Sequence, residues 1–185
     1  MIISLTGFMG CGKSSIGREL SKLLGCKLID LDEWIETTEG RTIKEIFSTN
    51  GERNFRELEV KALRELLPDN TITTEGKSID MILSLGGGTV TTPEAAKLVH
   101  ERTLCIYLKA SIETLVKNLT LSPGDRPMLG EIDNRETLKK RIEELMSRRA
   151  SIYESTATKI IDIDGKSFIE AAHDVLHVTP LLKHP

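Results

Sequence analysis

The segment at residues 7–14 constrains this chain more than any other feature, because it reads Gly-Phe-Met-Gly-Cys-Gly-Lys-Ser. This is the spacing G-x-x-x-x-G-K-[ST] of a loop that wraps phosphate groups with its backbone N–H groups. The apolar, β-branched residues 1–6 precede the loop and predict a buried strand. Apolar residues at helical spacing follow it from Ile16 to Leu24, and Gly25 predicts the end of a helix. This order of strand, glycine loop and helix predicts a nucleotide-binding site.

The residue types in the loop have separate tasks. Glycine lets the backbone approach an anion closely because no Cβ atom intrudes, and the N-terminus of the helix adds a favourable dipole. Lys13 is predicted to reach the β- and γ-phosphates, and the Ser14 hydroxyl is predicted to bind Mg²⁺. The predicted ATP-binding residues of the loop are Gly10, Cys11, Gly12, Lys13, Ser14 and Ser15. The alternative interpretation is a glycine-rich turn that binds no ligand.

Composition excludes several other classes of protein. The 185 residues suffice for one compact domain, and the net charge of -3 argues against nucleic acid as the main partner. No apolar run approaches the ~20 residues of a membrane span, and no basic n-region precedes the first strand. Three cysteines without metal-type spacing are typical of a reducing compartment. We therefore expect a cytoplasmic protein without a membrane partner.

One of these cysteines, Cys11, lies inside the loop near a helix N-terminus, where the pKa of a thiol can fall. This position predicts a reactive thiol whose alkylation inactivates the protein and is prevented by ATP. The alternative is a small residue that only fills space in the loop.

The rest of the chain alternates between strand and helix patterns. Four more apolar runs predict strands, at residues 27–30, 81–85, 103–108 and 159–163. All five strands are predicted to be buried on both faces, as in a parallel sheet. Thr42 and Ser167 begin capping-box patterns, and Pro93 stands at a first helical position. The sequence predicts an α/β protein, a three-layer αβα fold around a parallel sheet of about five strands.

Three segments exceed what this sheet and its helices need. Residues 32–66 predict a helical substrate-binding lobe, and residues 69–80 predict a polar surface loop. Residues 121–134, rich in proline and glycine, predict a mobile lid that excludes water from a transferred phosphoryl group. The remaining residues 1–31, 81–120 and 135–179 predict the core of a single domain that spans residues 1–185.

Two carboxylates follow the second predicted strand. Residues two apart in a strand point to the same face, so Asp30 and Asp32 are expected to meet at the carboxyl edge of the sheet. One carboxylate can hold Mg²⁺ through water, and the other can accept the proton of an attacking hydroxyl. The third strand ends without an aspartate, which leaves Asp30 as the candidate for the metal. An alternative for Asp32 is the N-cap of a helix.

Glycine and arginine residues supply the remaining candidates. Three consecutive glycines after the third strand allow close approach of a ligand, although a tight turn is the alternative. Arg126, in the predicted lid, can reach a transferring phosphoryl group. By spacing alone, Arg56 and Glu59 indicate only a surface ion pair on a helix. By composition alone, Arg149 indicates a solvated position in a highly charged helix.

Together these residues resemble the shikimate kinase family over nearly the whole chain. The matching motifs are Gly7-x-x-Gly10-x-Gly12-Lys13-Ser14, Asp30-x-Asp32, Phe55-Arg56-x-x-Glu59, Gly86-Gly87-Gly88, Arg126-Pro127-Met128-Leu129 and Arg149-x-x-x-Tyr153. Many enzymes share the first motif, but the combination in this order is highly specific.

The resemblance implies that ATP phosphorylates the 3-hydroxyl of shikimate, on the route through chorismate to aromatic amino acids, in a Mg²⁺-dependent monomer. It implies that Asp32 contacts the shikimate hydroxyls and accepts the proton, while Asp30 lies near the magnesium. Arg56 and Arg149 would bind the shikimate carboxylate, and Glu59 would orient Arg56. The substrate is further lined by Gly86, Gly87 and Gly88.

Some positions depart from the family pattern. The family often carries an arginine that stacks on adenine at the end of the helix before the lid, where this chain has Lys117 and Asn118. The short loop at residues 164–166 also lacks an arginine for the adenine. The rival interpretations are another small kinase of this fold, for gluconate or a nucleoside monophosphate, and a nucleotide-binding regulatory domain without catalysis.

Overall fold

The protein was analysed as a computed structural model, which describes residues 1–69, 78–121, 129 and 134–180. Within these residues five strands form one sheet in the order β2-β3-β1-β4-β5, and every neighbouring pair is parallel. The strands are β1 Ile2–Thr6, β2 Lys27–Asp30, β3 Met81–Ser84, β4 Leu104–Lys109 and β5 Lys159–Asp162. The five-stranded parallel sheet predicted from the sequence is confirmed.

Seven α-helices flank this sheet in the described part of the chain. They are α1 Lys13–Leu24, α2 Leu31–Glu39, α3 Ile43–Leu66, α4 Pro93–Arg102, α5 Ile112–Leu121, α6 Arg135–Thr156 and α7 Phe168–Val178. Both predicted capping boxes are present, at Thr42 and at Ser167, and Pro93 begins α4. Gly51 interrupts α3 with φ 77° and ψ 173°, so the segment between β2 and β3 contains three helical pieces.

The core lies between the central strands and the helices. Ile3 and Leu5 of β1 and Ile106 of β4 are fully buried. The prediction that every strand is buried on both faces is wrong for β2 and β5, because these strands form the edges of the sheet. No residue of β2 is fully buried, and Ile160 of β5 is 48% exposed. Edge strands lie at the margin of the helical layers, which therefore cover them less completely.

Two predicted segments fall largely outside the described residues. Of the predicted lid at residues 121–134, the structure describes only Leu121, Leu129 and Asn134, so Arg126 lies outside it. Of the predicted loop at residues 69–80, residues 70–77 lie outside it. Among the helices that the structure describes, none is long and apolar enough to cross a membrane.

Candidate active site

The glycine loop turns at the carboxyl end of the central strand β1. Gly10 and Gly12 have φ values of 82° and 92°, a left-handed conformation that favours glycine. Space also requires glycine at position 10, because a Cβ atom there would lie 2.8 Å from Leu119 Cγ. The loop leads directly into α1, whose first residue is Lys13. Sequence and structure therefore agree on a tight loop that opens onto a helix N-terminus.

Lys13 is folded back over this loop and is only 8% exposed. Its Nζ atom donates to Gly7 O at 2.9 Å and to Phe8 O at 3.1 Å. The ammonium group is thus held at the mouth of the loop by two backbone carbonyls.

Three side-chain oxygens meet next to Lys13. Ser14 Oγ donates to Asp30 Oδ2 at 2.6 Å and lies 3.3 Å from Ser84 Oγ. Hydroxyl and carboxylate oxygens are the ligands that Mg²⁺ prefers, so this cluster fits the ion. Sequence reasoning missed Ser84, which ends β3 beside Asp30 in the parallel register. The signal in the sequence is its place at the end of the third strand, a position at which only an acid was expected to bind the metal.

Asp30 and Asp32 come close in a different way from the one predicted. β2 ends at Asp30, and Asp32 lies in the first turn of α2, so the alternation rule for strands does not apply to the pair. The N-cap of α2 is Asp30, whose Oδ1 accepts from Asp32 N at 3.1 Å, so the N-cap alternative for Asp32 is wrong. The helical turn nevertheless keeps the two carboxylates within electrostatic reach of each other.

Asp32 has the properties of a general base. Burial raises the pKa of its carboxyl to about 7, helped by the negative charges of Asp30 and Glu59 and opposed by nearby cations. Its Oδ1 atom is buried and has no hydrogen-bond partner among the residues that the structure describes. A carboxylate with a free oxygen and a pKa near neutrality can accept a proton from an alcohol.

Glu59 and Arg56 form a largely shielded pair, because Glu59 is buried and the Arg56 side chain is only 13% exposed, so the surface pair indicated by their spacing is wrong. Glu59 is fully buried; its Oε2 accepts from Arg56 Nη1 at 2.6 Å, and its Oε1 accepts from Thr89 Oγ1 at 2.5 Å. Burial raises the pKa of Glu59, while Arg56 opposes that shift. Arg56 also donates to Glu52 Oε1 at 3.0 Å. The guanidinium group is therefore fixed in one position by two carboxylates.

Each of the three glycines after β3 meets a different neighbour. A Cβ atom at Gly86 would lie 2.8 Å from Asp32 Oδ1, and one at Gly87 would lie 3.0 Å from Met9 N. A Cβ atom at Gly88 would collide with the Arg56 guanidinium group. A tight turn alone would not need three glycines, whereas this close packing of site residues does.

Arg149 is buried, contrary to the solvated position that composition indicated. It is 6% exposed, and its Nη1 donates to Gly87 O at 3.3 Å. Tyr153, one turn later on α6, donates to the same oxygen at 2.5 Å. No role for Tyr153 was predicted beyond its match to a family motif. The structure shows that it ties α6 to the glycine segment.

These residues line two neighbouring clefts. The first has a volume of about 480 Å³ and contains Asp32, Arg56, Arg149 and the glycine segment. The second, of about 430 Å³, contains the phosphate loop with Lys13 and Ser14. The two clefts share Met9, Asp32, Gly86 and Gly87. The arrangement can therefore hold a phosphate donor and an anionic acceptor on the two sides of Asp32.

Two further residues line the second cleft, of which Asn118 was named from the sequence only as a departure from the family pattern and Phe168 was not predicted. Asn118 Nδ2 donates to Gly10 O at 2.8 Å and ties α5 to the loop. Phe168, the first residue of α7, lines the same cleft. Neither residue belongs to a motif, so only the packing of distant segments reveals them.

The prediction of a reactive Cys11 is wrong. Cys11 is fully buried, and burial raises the pKa of its thiol although Lys13 opposes the shift. The cysteine side chain lies in the core, with its sulfur 4.0 Å from Lys13 Nζ. The alternative of a space-filling residue fits this environment.

We expect iodoacetamide to label Cys26 first in the native protein and to leave Cys11 and Cys105 unlabelled. Cys26 is partly exposed, whereas the other two thiols are fully buried. Mass spectrometry of peptides after short labelling measures the order, and labelling in guanidinium chloride is the control in which all three react. Native labelling of Cys11 that ATP prevents would contradict the buried position.

Comparison with known proteins gives a consistent result. The sequence model of a family described as shikimate kinase matches residues 9–179. The chain is 39% identical over 174 residues to a shikimate kinase from Thermus thermophilus, which is 94% of this chain and 87% of the relative. The structure of shikimate kinase from Acinetobacter baumannii in complex with shikimate has a TM-score of 0.82 at 29% identity and covers 96% of this chain and 91% of that chain. Shikimate kinase from Bacteroides thetaiotaomicron has a TM-score of 0.83 at 26% identity, with coverages of 98% and 99%.

Proposed function

The chain belongs to the shikimate kinase family, and we propose that it transfers the terminal phosphoryl group of ATP to the 3-hydroxyl of shikimate. The observation that carries this proposal is the pair of clefts that meet at Asp32. One cleft has a loop built for phosphates, and the other has the guanidinium groups of the buried Arg149 and the partly buried Arg56, which suit a carboxylate.

On the donor side, the loop amides and Lys13 bind the phosphates. Ser14 would hold Mg²⁺ directly and Asp30 would hold it through water, with Ser84 completing the oxygen cluster. When bound, the ion neutralises negative charge on the β- and γ-phosphates. Lys13 adds positive charge at the transferring group, which stabilises the transition state electrostatically.

On the acceptor side, Arg56 and Arg149 bind the shikimate carboxylate, and this contact orients the ring. Glu59 holds Arg56 in place through the 2.6 Å ion pair and takes no part in the proton transfer. Asp32 accepts the proton of the attacking hydroxyl. Gly86, Gly87 and Gly88 keep the floor of the cleft free of side chains, so the ring can approach the backbone.

We also propose the division of the chain into functional parts. Residues 32–66 form the substrate-binding lobe on a core of residues 1–31, 81–120 and 135–179. A lid at about residues 121–134 that carries Arg126 stays a prediction from the sequence. The protein is proposed to act as a monomer in the cytoplasm, with ATP and shikimate as its partners.

An assay of ADP release against shikimate, gluconate and AMP tests the function directly. We expect release only with shikimate and only when Mg²⁺ is supplied. Release with gluconate or AMP would indicate another kinase of this fold, and ATP binding without release on any acceptor would indicate a regulatory domain.

We expect Arg149→Ala to raise the KM for shikimate by at least tenfold with a smaller effect on kcat. Its guanidinium group lies far from the reacting hydroxyl in the proposed binding mode, so its loss weakens ground-state and transition-state binding alike. Arg149→Lys should restore binding only partly, because an ammonium group cannot form a bidentate pair with a carboxylate.

Steady-state kinetics with each substrate varied in turn measures both effects. Arg148→Ala is the matched control, since Arg148 is the preceding residue on α6 and is exposed. A loss confined to kcat, or equal losses in both variants, would contradict the proposed role of Arg149.

A further inference from the structure

Thr89 is a fully buried residue that directly follows the glycine segment and lines neither cleft. It begins a short 3₁₀ turn, Thr89–Thr91, and its N–H group donates to Gly86 O at 3.2 Å. Its hydroxyl group donates to Glu59 Oε1 at 2.5 Å, across 30 positions of the sequence. This hydrogen bond therefore joins the glycine segment to α3, the helix that also carries Arg56.

The hydroxyl group of Thr89 is one of two donors to a carboxylate that water does not reach. Glu59 Oε2 accepts from Arg56 Nη1 at 2.6 Å, and the side chain of Glu59 is only 1% exposed. Burial raises the pKa of Glu59, and the hydrogen bond from Thr89 acts together with Arg56 against that shift. Without the hydroxyl group, Oε1 would be a buried acceptor that lacks this donor. Loss of the donor favours the protonated carboxyl group, which attracts Arg56 less strongly.

Three side-chain oxygens converge on Gly86, and two of them belong to carboxylates. A Cβ atom at Gly86 would lie 2.8 Å from Asp32 Oδ1, 3.0 Å from Thr89 Oγ1 and 3.1 Å from Glu59 Oε1. A hydroxyl group carries a single proton, so Thr89 can donate to only one of the two carboxylates. It donates to Glu59, whereas Asp32 Oδ1 has no partner in the part of the chain that the structure describes. Thr89 thus supports the carboxylate that orients Arg56 and leaves the proposed proton acceptor free.

We propose that Thr89 is a positioning residue for the acceptor carboxylate: its hydroxyl group holds Glu59 against Arg56 and thereby fixes the guanidinium group where the carboxylate binds. The inference rests on the proposed function, because it takes the carboxylate of the acceptor to bind Arg56. The other carboxylate partner of Arg56 is Glu52, whose side chain is 48% exposed. Water weakens an exposed ion pair, so the buried contact through Glu59 sets the position of Arg56.

The first readout is the order of the Arg56 side chain in the unliganded protein. We expect its Nε–H proton to exchange slowly with solvent in the wild-type protein. Thr89→Val keeps the shape of the side chain but removes the hydroxyl group, so this protection should be lost. Thr89→Ser keeps the hydroxyl group and should keep the protection. Heteronuclear NMR of the arginine side chains measures the exchange in each protein.

Binding of shikimate provides the second readout. We expect Thr89→Val to raise the Kd for shikimate about 3- to 100-fold, the range of coupling within one hydrogen-bond network, and Thr89→Ser to stay within about twofold of the wild type. The effect on kcat should be smaller than the effect on KM, because the carboxylate is remote from the reacting hydroxyl in the proposed binding mode. Calorimetry without ATP measures the Kd, and ADP release measures kcat and KM.

A double-mutant cycle shows whether Thr89 acts through Arg56. In an Arg56→Ala background, Thr89→Val should change kcat/KM for shikimate by less than about twofold, because no guanidinium group is left to position. An undiminished effect of Thr89→Val in that background would overturn the inference. Thr89→Ala removes the same hydroxyl group with a smaller side chain, so a folding defect specific to valine does not decide the result.

Thr91→Val is the matched control, because Thr91 belongs to the same turn but its hydroxyl group donates to Gly88 O at 2.6 Å. It should keep the protection of Arg56 and leave the Kd for shikimate within about twofold of the wild type. Equal losses in Thr91→Val and Thr89→Val would show that the hydroxyl groups only stabilise the turn. Unchanged affinity for shikimate in Thr89→Val would show that Arg56 does not depend on Thr89. Either result overturns the inference.

NMR and calorimetry need no phosphoryl transfer, so they separate this inference from the proposed function. Thr89-dependent binding of shikimate in a protein that releases no ADP would remove the proposed function and leave the inference. ADP release with shikimate at an unchanged KM in Thr89→Val would do the reverse. If the wild-type protein bound no shikimate, the proposed function would fall, and the exchange of the Arg56 proton would still decide whether Thr89 holds that group.

Discussion

Asp32→Asn should lower kcat about 10²- to 10⁴-fold, the contribution expected of a general base. The amide keeps the shape of the carboxyl group but cannot accept the proton of the 3-hydroxyl. Affinity for ADP should change by no more than a few fold, because the proposed phosphate ligands are Lys13, Ser14 and the loop amides. Loss of ADP affinity at normal turnover would instead place Asp32 at the metal.

The pH dependence of the wild-type enzyme provides a second readout of the same group. Because burial raises the pKa of Asp32 to about 7, kcat/KM should rise with pH through that region as the base loses its proton. Glu33→Gln, a change at an exposed neighbouring position on α2, should keep both the rate and this profile. A flat profile in the wild-type enzyme would contradict the assignment.

The raised pKa also predicts that Asp32→Asn stabilises the unliganded protein at alkaline pH. Between pH 4 and 7 the folded wild-type protein retains a proton that the unfolded chain has released, so its free energy of unfolding falls as pH rises. The advantage of the variant should therefore be small near pH 4 and reach its full size above pH 7. The full stability advantage is about 1.4 kcal/mol for each pH unit by which folding raises the pKa of Asp32. Urea unfolding at pH 5 and pH 8 measures it, and equal differences at both pH values would contradict the buried charge.

Local signals in the sequence predicted the elements of the fold well. The capping boxes at Thr42 and Ser167 and the proline at position 93 mark helix starts that depend only on neighbouring residues. The phosphate loop was equally accessible, because its glycines and Gly12-Lys13-Ser14 act within one short segment. The edge strands were predicted less well, because the order of strands depends on the whole sheet.

The burial of the charged residues of the site could not be predicted from local sequence patterns. The spacing of Arg56 and Glu59 indicated a surface pair. The contacts that shield this pair come from Thr89 and Gly88, which lie about thirty residues further along the chain, so the spacing could not reveal them. Arg149 looked solvated because its partner, Gly87 O, comes from a different element. Only the resemblance to a family predicted that both arginines belong to the site.

The predictions for Cys11 and Asp32 were wrong for a different reason, which is the local backbone geometry. The side chain of Cys11 points into the core because glycines on both sides take left-handed conformations, and the spacing of a loop motif does not encode that direction. Asp32 lies on a helix because the N-cap of α2 is Asp30, two residues before the N-cap that was considered at Asp32. Because the helix begins two residues earlier, the spacing of Asp30 and Asp32 follows helical geometry and not the alternation of a strand.

Lys13→Ala should lower kcat by about 10³-fold or more, which is the scale of cationic groups that act on a transferring phosphoryl group. The lysine is also buried, and its ammonium group bonds the carbonyls of Gly7 and Phe8 in the unliganded protein. Truncation to alanine therefore leaves two carbonyls without this donor, and we expect a loss of about 1–3 kcal/mol in the free energy of unfolding.

Lys13→Met separates the chemical effect from this structural one. Methionine keeps most of the buried aliphatic chain and removes only the charge, so its stability should lie between those of the wild-type protein and Lys13→Ala. Its turnover should nevertheless be as low as that of the alanine variant, because the transition state needs the ammonium group. Thermal unfolding and ADP release in the two variants measure the two effects, with Lys22→Ala on the exposed side of α1 as the control. Near-normal turnover in Lys13→Met would mean that the loop does not hold the transferring phosphate, and the donor site would then have to lie elsewhere.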